Sequence, residues 1–326
     1  MSNSSADVER SKKSLEAIRS EISKVIVGQD EVINGFLRAL VSNGHVLIEG
    51  VPGLAKTLMI KTLARAIGCD FSRIQFTPDL LPTDIIGITA YDKNKGFYVV
   101  KGPIFSNLVL ADEINRAPPK VQSALLECMQ ERQATIGSQT FPMKKPFFVM
   151  ATQNPLESLG TYPLPEAQMD RFLFKLNITY PSLEEEERIL RNNITVKPFE
   201  EFKIKAVSSP EQIVRIQQSV NSIYVDKKIE KYIVRIVDAT RHPSQYGIGL
   251  GKYIAWGASP RASISIFMAA RAEALLSGKT FVIPEYVKKV APDVLRHRII
   301  VNYEGQAEGI TSDAIISQIL ERIEIP

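Results

Sequence analysis

Between residues 45 and 67 a short strand, a glycine-bearing loop and a helix follow one another without a gap, and few folds accommodate that combination. His45-Val46-Leu47-Ile48-Glu49 is an apolar-rich run. Gly50-Val51-Pro52-Gly53-Leu54-Ala55-Lys56-Thr57 comes directly after it, and Leu58 lies within the helical pattern Ala55–Ile67. The glycines let backbone N–H groups close around phosphates, Lys56 supplies a point charge to the β- and γ-phosphates, and the Thr57 hydroxyl can ligate Mg²⁺. The positive end of the following helix adds to the attraction. Residues Gly50 to Leu58 therefore read as a phosphate-binding loop for a nucleoside triphosphate. Ala55 stands where the usual pattern has glycine. Its methyl group narrows the backbone's approach to phosphate but removes no charge.

A chain of 326 residues is ample for one large core and a smaller domain. A hydrophobic content of 44% and a charged content of 23% are those of a soluble globular protein. The net charge of +4 permits nucleic-acid contact without calling for it. Cys69 and Cys128 have no metal-ligand spacing and no framework to staple, which points to a reducing compartment. His45, His242 and His297 are scattered, so a zinc-type site is not expected. The N-terminus lacks the apolar core of a signal peptide, and no run approaches the roughly 18 apolar residues that span a bilayer. The expected location is the cytoplasm, without membrane insertion.

Residues 1–10 read as disordered. Leu15, Ile18, Ile22, Val25 and Ile26 then suggest an amphipathic helix, and Glu31–Val41 a second one ended by Asn43-Gly44. Four further strand-like runs follow the first, at Phe71–Thr77, Leu108–Asp112, Phe147–Thr152 and Phe172–Ile178, with helical patterns such as Pro119–Glu131 between them. This alternation predicts an α/β fold with a parallel five-stranded sheet flanked by helices, the nucleotide loop lying at the carboxyl ends of the strands. Segments 85–104 and 133–146 read as hairpins inserted in that core, turning at Lys93-Asn94-Lys95-Gly96 and near Gly137-Ser138. After Tyr180-Pro181 the pattern becomes helical, with capping signals at Ser182/Glu185, Ser209/Gln212, Asp226, Ser259-Pro260 and Thr311-Ser312. The expected organisation is a core over 11–181 and a smaller all-α domain over 182–326. Gly247-Ile248-Gly249-Leu250-Gly251 lacks the strand and spacing of a dinucleotide fingerprint and reads as a flexible loop.

Leu108-Val109-Leu110-Ala111-Asp112-Glu113 is an apolar strand ending in an acidic pair. Beside a phosphate loop, this places Asp112 at the Mg²⁺ coordination sphere and Glu113 where it can polarise a water for attack on the γ-phosphate. The strand Phe147–Thr152 ends in Gln153-Asn154-Pro155. Asn154 either closes a turn before proline or, at the tip of a strand beside the phosphate loop, orients that water.

These residues resemble AAA+ ATPases, and within them the MoxR group, over nearly all of residues 20–326. The resemblance is carried by Glu49–Thr57, Ala111–Gln122, Ala151–Pro155, Leu164–Phe172 and Gly257–Arg261. It implies an AAA+ core followed by a helical lid, with ATP and Mg²⁺ as cofactors, and a ring homo-oligomer, commonly six subunits, holding ATP between neighbours. Asn154 matches the first sensor. Arg171 matches the arginine finger that reaches a neighbour's γ-phosphate. Arg261 matches the second sensor, in cis or in trans. Val27 and Gly28, with Ile26, match the segment that packs on adenine. Arg116 faces either a subunit interface or a carboxylate partner. The two hairpins match insertions that face the pore or a partner, or that brace neighbouring subunits.

The leading functional expectation is an ATP-hydrolysing, chaperone-like remodelling or maturation factor. Its implied partner is a separate protein with a von Willebrand factor A domain. Lys93, Lys95, Lys101, Lys144 and Lys145 near the hairpins leave a nucleic-acid motor as an alternative, although aromatic stacking residues are sparse there and no nucleic-acid module is recognisable. The motor subunit of a metal chelatase is a third reading. A nucleotide switch with little turnover is disfavoured by the joint presence of Glu113, Asn154 and Arg171.

Overall fold

The computed structural model describes residues 2–51, 53–94, 96–154, 160–192 and 198–326. The chain opens with helix α1 (Ser2–Ser23), where sequence reasoning expected disorder over residues 1–10. Val8 corrects that expectation: it lies one heptad before Leu15 on the same stripe and is 1% exposed, so the apolar face reaches further back than Leu15. Two exposed pairs, Glu9–Lys13 and Lys12–Glu16, support the solvent side.

The elements that follow are α2 (Asp30–Val41), β1 (Val46–Glu49), α3 (Lys56–Ala66), β2 (Phe71–Gln75), α4 (Pro82–Ile86), β3 (Gly87–Asp92) and β4 (Gly96–Lys101). After them come β5 (Leu108–Asp112), α5 (Pro119–Glu131), β6 (Gln133–Ile136), β7 (Gln139–Pro142), β8 (Phe148–Gln153), α6 (Glu166–Met169) and β9 (Phe174–Asn177). Five of these strands form one parallel sheet in the order β2-β5-β8-β1-β9. Side chains alternate across it with the period of two that a strand imposes. Val46, Ile48, Leu110 and Met150 join α1, α2 and α3 on one face. Leu47, Val109, Ala111 and Val149 pack with Val121, Leu125 and Met129 of α5 on the other. Strand β1, which feeds the phosphate loop, lies between β8 and β9.

His45 pins the two layers together just before β1. Its Nδ1 accepts the Val149 N–H at 3.0 Å, which leaves Nε2 to donate to the Met129 carbonyl at 3.2 Å. Burial, then the charge of Arg132, holds its pKa down to about 3, so the ring is a neutral core residue. Cys69 and Cys128 are free, and burial pushes both thiols up to about 12.

The hairpin β3–β4 pairs from Gly87↔Lys101 to Asp92↔Gly96, and β6–β7 forms the second insertion. Lys95, expected at the first hairpin's tip, lies outside the described residues.

The remaining chain is α7 (Leu183–Asn192), α8 (Pro210–Val220), α9 (Lys227–Ala239), β10 (Ile254–Trp256), α10 (Pro260–Leu276), α11 (Pro284–Leu295), β11 (Ile300–Val301), α12 (Tyr303–Ala307) and α13 (Ser312–Arg322). Ser209, Asp226, Ser259 and Thr311 cap their helices through side-chain oxygens. The segment 247–251, expected to be flexible, is part of a packed corner built from 3₁₀ turns at Pro243–Tyr246 and Gly249–Tyr253. A Cβ on Gly251 would meet Pro243 Cβ at 2.1 Å, so the glycine serves close packing there.

The helical part shares a hydrophobic cluster with α1–α3 rather than forming its own core. Arg38 of α2, 1% exposed at its side chain, reaches Glu273 of α10 at 2.7 Å, Asp293 of α11 at 3.3 Å and Glu31 at 3.0 Å. Arg296, just past α11, donates through Nη1 to the Lys175 carbonyl of edge strand β9 at 2.6 Å. No helix among the described residues is long and apolar enough to cross a membrane.

Candidate nucleotide site

The loop between β1 and α3 turns sharply enough that Ala55, the residue before the helix, sits at φ 56° and ψ 22° in the left-handed region. That is the reason glycine is usual there: an L-residue in this region is strained. Gly53 is also left-handed, at φ 85°, and a Cβ added to it would meet nothing within 4 Å. Lys56 folds back over the loop and donates through Nζ to the Gly50 carbonyl at 2.6 Å. Partial burial lowers its pKa, while the charges of Asp112 and Glu113 act in the opposite direction.

Strands β5 and β8 bring the acidic pair to this loop. Asp112 accepts the Thr152 hydroxyl on Oδ1 at 2.7 Å and the Arg73 guanidinium on Oδ2 at 2.7 Å. Glu113 is held at φ 56° and ψ 51°, a strained conformation of the kind that gathers at functional sites. Its N–H donates to Thr152 Oγ1 at 2.9 Å. Its carboxylate accepts from Gln75 Nε2 at 2.8 Å and Arg116 Nη1 at 2.9 Å. Of the two readings left open for Arg116, the structure shows the carboxylate pairing.

These groups line one cavity of about 780 Å³. Its polar end holds Lys56, Thr57, Asp112, Glu113, Thr152 and Asn154. Its apolar end is walled by Ile26, Val27, Ile189, Phe199 and Phe202, with Leu54, Ala55 and Leu58 along one side. Gly28, Gly50 and Val51 are not among the lining residues, and Pro52 lies outside the described residues. Gly28 instead lets the start of α7 approach, since a Cβ there would fall 2.4 Å from Glu185 Oε1. Arg171 and Arg261 also stand apart from the cavity. Arg171 Nη1 donates to the Leu126 carbonyl at 3.1 Å, and Arg261 lies 3.7 Å from Asp170.

Sequence reasoning did not single out Arg73, Gln75, Thr152, Phe199 or Phe202. A signal existed for the first two, because polar residues two apart in a predicted strand share a face. The position of Phe199 depends on how the chain returns after α7, which no local pattern announces.

The Thr57 hydroxyl and the Asp112 carboxylate are hard oxygen donors at the polar end, and this donor set fits Mg²⁺. That ion is held by one or two protein oxygens together with phosphate and water rather than by a dedicated cage. No group of three or more His, Cys, Asp or Glu residues suited to a metal occurs among the described residues.

Comparison with known proteins agrees with this geometry. The profile of the ATPase family associated with various cellular activities (AAA) matches residues 45–174, and that of the AAA lid domain matches residues 251–319. Chaperone MoxR1 of Mycobacterium tuberculosis is 50% identical over 96% of this chain and 82% of its own length. Protein MoxR of Methylorubrum extorquens is 31% identical over 94% of this chain and 93% of its own. A crystal structure from Cytophaga hutchinsonii, described as that of a candidate ATPase, superposes with a TM-score of 0.92 at 47% identity, covering 98% of this chain and 97% of the other.

Proposed function

The chain belongs to the MoxR family of AAA+ ATPases, and from that premise we propose that it hydrolyses ATP to remodel or mature a separate client protein. The observation that carries this reading is the convergence of Lys56, Thr57, Asp112, Glu113 and Asn154 on one cleft. Lys56 places its charge against the β- and γ-phosphates. Thr57 and Asp112 would hold Mg²⁺, which neutralises charge on the phosphate oxygens when bound. Glu113 takes the proton of the attacking water on Oε1, since Gln75 and Arg116 both engage Oε2. Asn154 orients that water, and the apolar end of the cleft takes the adenine.

Arg171 and Arg261 complete the site of a neighbouring subunit in a homo-oligomeric ring of six. Neither lines this chain's own cavity, which supports action in trans for both. Such an arginine finger is typically worth about 10³–10⁵ in rate. The client or adaptor carries a von Willebrand factor A domain, and the setting is the cytoplasm. The name "chaperone" of the Mycobacterium relative supports the remodelling role.

The test is capture from native cell extract with Glu113→Gln protein and ATP, using Lys56→Ala protein as the control. Recovery of a von Willebrand-type protein only with the first variant is expected. Recovery of DNA that withstands moderate salt, without any protein client, would overturn the client reading.

A further inference from the structure

Helix α11 ends at Leu295, and shortly after it the His297 and Arg298 side chains turn towards the segment that carries Arg171. Arg298 is 3% exposed at its side chain. It donates through Nε to Asp170 Oδ1 at 2.6 Å, through Nη2 to the Phe172 carbonyl at 2.8 Å and through Nη1 to the Leu173 carbonyl at 3.2 Å. His297 Nε2 adds a 3.1 Å contact to the same Phe172 carbonyl. The backbone on both sides of Arg171 is therefore fixed by a residue of the helical domain.

The other oxygen of Asp170 is also engaged. Ser259 Oγ donates to Oδ2 at 3.0 Å, and Arg261 Nη1 lies 3.7 Å from it. Ser259 is in turn the cap of α10, accepting the Arg261 N–H at 3.2 Å. One carboxylate thus adjoins Arg171 along the chain and Arg261 through space. Burying an arginine and an aspartate costs desolvation energy, and well-packed apolar residues would often stabilise a fold as well. A charge-assisted pair that also grips two neighbouring carbonyls instead specifies geometry. Arg171 itself is incompletely satisfied, since its Nε is buried without a hydrogen-bond partner.

We propose that Asp170, clamped by Arg298, is a positioning residue that holds Arg171 and Arg261 as one unit, so that both reach the nucleotide of a second copy of this chain together. The inference rests on the reading that these two arginines act in trans. A displacement of the helical domain then moves the finger and the second sensor in register, because Ser259, Arg261 and Arg298 all bear on the same carboxylate.

The experiment uses full-length protein, alone and mixed with an excess of Glu113→Gln subunits, whose own residues 170, 171 and 261 are intact. Asp170→Asn alone should bind a fluorescent ATP analogue like the parent yet turn over about 10²-fold more slowly, the cost of a misplacement near 1 Å. Mixing should restore turnover. Ser259→Gly removes the hydroxymethyl side chain at a cap position where glycine costs a few tenths of a kcal/mol. It should show a smaller loss that mixing also rescues, and it decides the question if Asp170→Asn does not fold. Arg171→Ala is the reference. If Arg171→Ala is rescued and the Asp170 and Ser259 variants are not, or if they turn over like the parent, the positioning role is wrong. If Arg171→Ala is not rescued in mixed assemblies shown to form, action in trans fails and the proposal falls with it.

Discussion

Thr152 donates its hydroxyl to Asp112 Oδ1 at 2.7 Å and accepts the N–H of Glu113 at 2.9 Å, so one side chain on β8 fixes both members of the acidic pair on β5. Thr152→Val keeps the shape and removes both bonds. Leaving these groups unpaired should cost about 1–3 kcal/mol of stability in a chemical denaturation series. Hydrolysis should fall by about tenfold or more as the acidic pair loosens. Nucleotide binding without Mg²⁺ should change little, because the phosphate loop is untouched. Parental hydrolysis in this variant would mean that Asp112 and Glu113 are held well enough by Arg73, Gln75 and Arg116.

Removing the base and removing the phosphate-binding charge should separate cleanly. Glu113→Gln is expected to bind ATP while losing about 10²–10⁴ of its turnover, the range of a general base. Lys56→Ala should lose binding itself. Calorimetric titration with ATP and a phosphate-release assay distinguish the two, and undiminished turnover in the glutamine variant would refute the water-activating role.

Ala55 offers a test in the stabilising direction. At φ 56° its methyl group is strained by about 1–2 kcal/mol, whereas glycine is at ease there but loses more freedom on folding. Ala55→Gly should therefore raise stability by up to about 1 kcal/mol with hydrolysis retained. A destabilised glycine variant in thermal melts would show that the loop relaxes elsewhere.

Arg38 is the centre of the charge cluster between α2, α10 and α11. Arg38→Met leaves the buried Glu273 carboxylate with Lys289, at 2.9 Å, as its charge partner and should cost up to about 3–5 kcal/mol. Adding Glu273→Leu should recover a good part of that loss, since an apolar replacement of a buried pair is often tolerated. A double variant no better than the single would show that Asp293, not Glu273, is the costly orphan.

The buried histidines set an acid limit. Folded His45 has a pKa held down to about 3, against 6.5 for a free ring, and His297 is pushed in the same direction by burial and then by Arg298. The unfolded chain therefore takes up protons below about pH 6.5 that the folded chain refuses, and stability present above that value is lost on acidification. Each ring contributes up to about 1.4 kcal/mol per pH unit. Urea midpoints should drop between pH 7 and 5, and His45→Gln should flatten that slope. An equally steep slope in the variant would assign the loss to other groups.

What could be read in the sequence was local. The phosphate loop, the apolar strand ending in Asp112-Glu113 and the helix Pro119–Glu131 each declare themselves within a dozen residues, through turn chemistry and periodicity. The helix from Ser2 was missed because Val8 is a single apolar residue among polar ones, and only the groove that receives it makes it informative. Arg73 and Gln75 gain meaning from β2 lying beside β5, although they precede Asp112 by more than thirty residues. Arg298 needed most of the chain: its partners lie about 125 residues earlier, and neither end carries a motif that names the other.

The bond from Arg296 to the Lys175 carbonyl bears on how copies of this chain can meet. Strand β9 ends the sheet, and a free edge there would be a template on which another molecule's strand could add. A guanidinium seated on that edge blocks such growth. Any copy that met this chain at β9 would find side-chain surface there rather than an open strand edge, a contact more easily remade than a shared sheet.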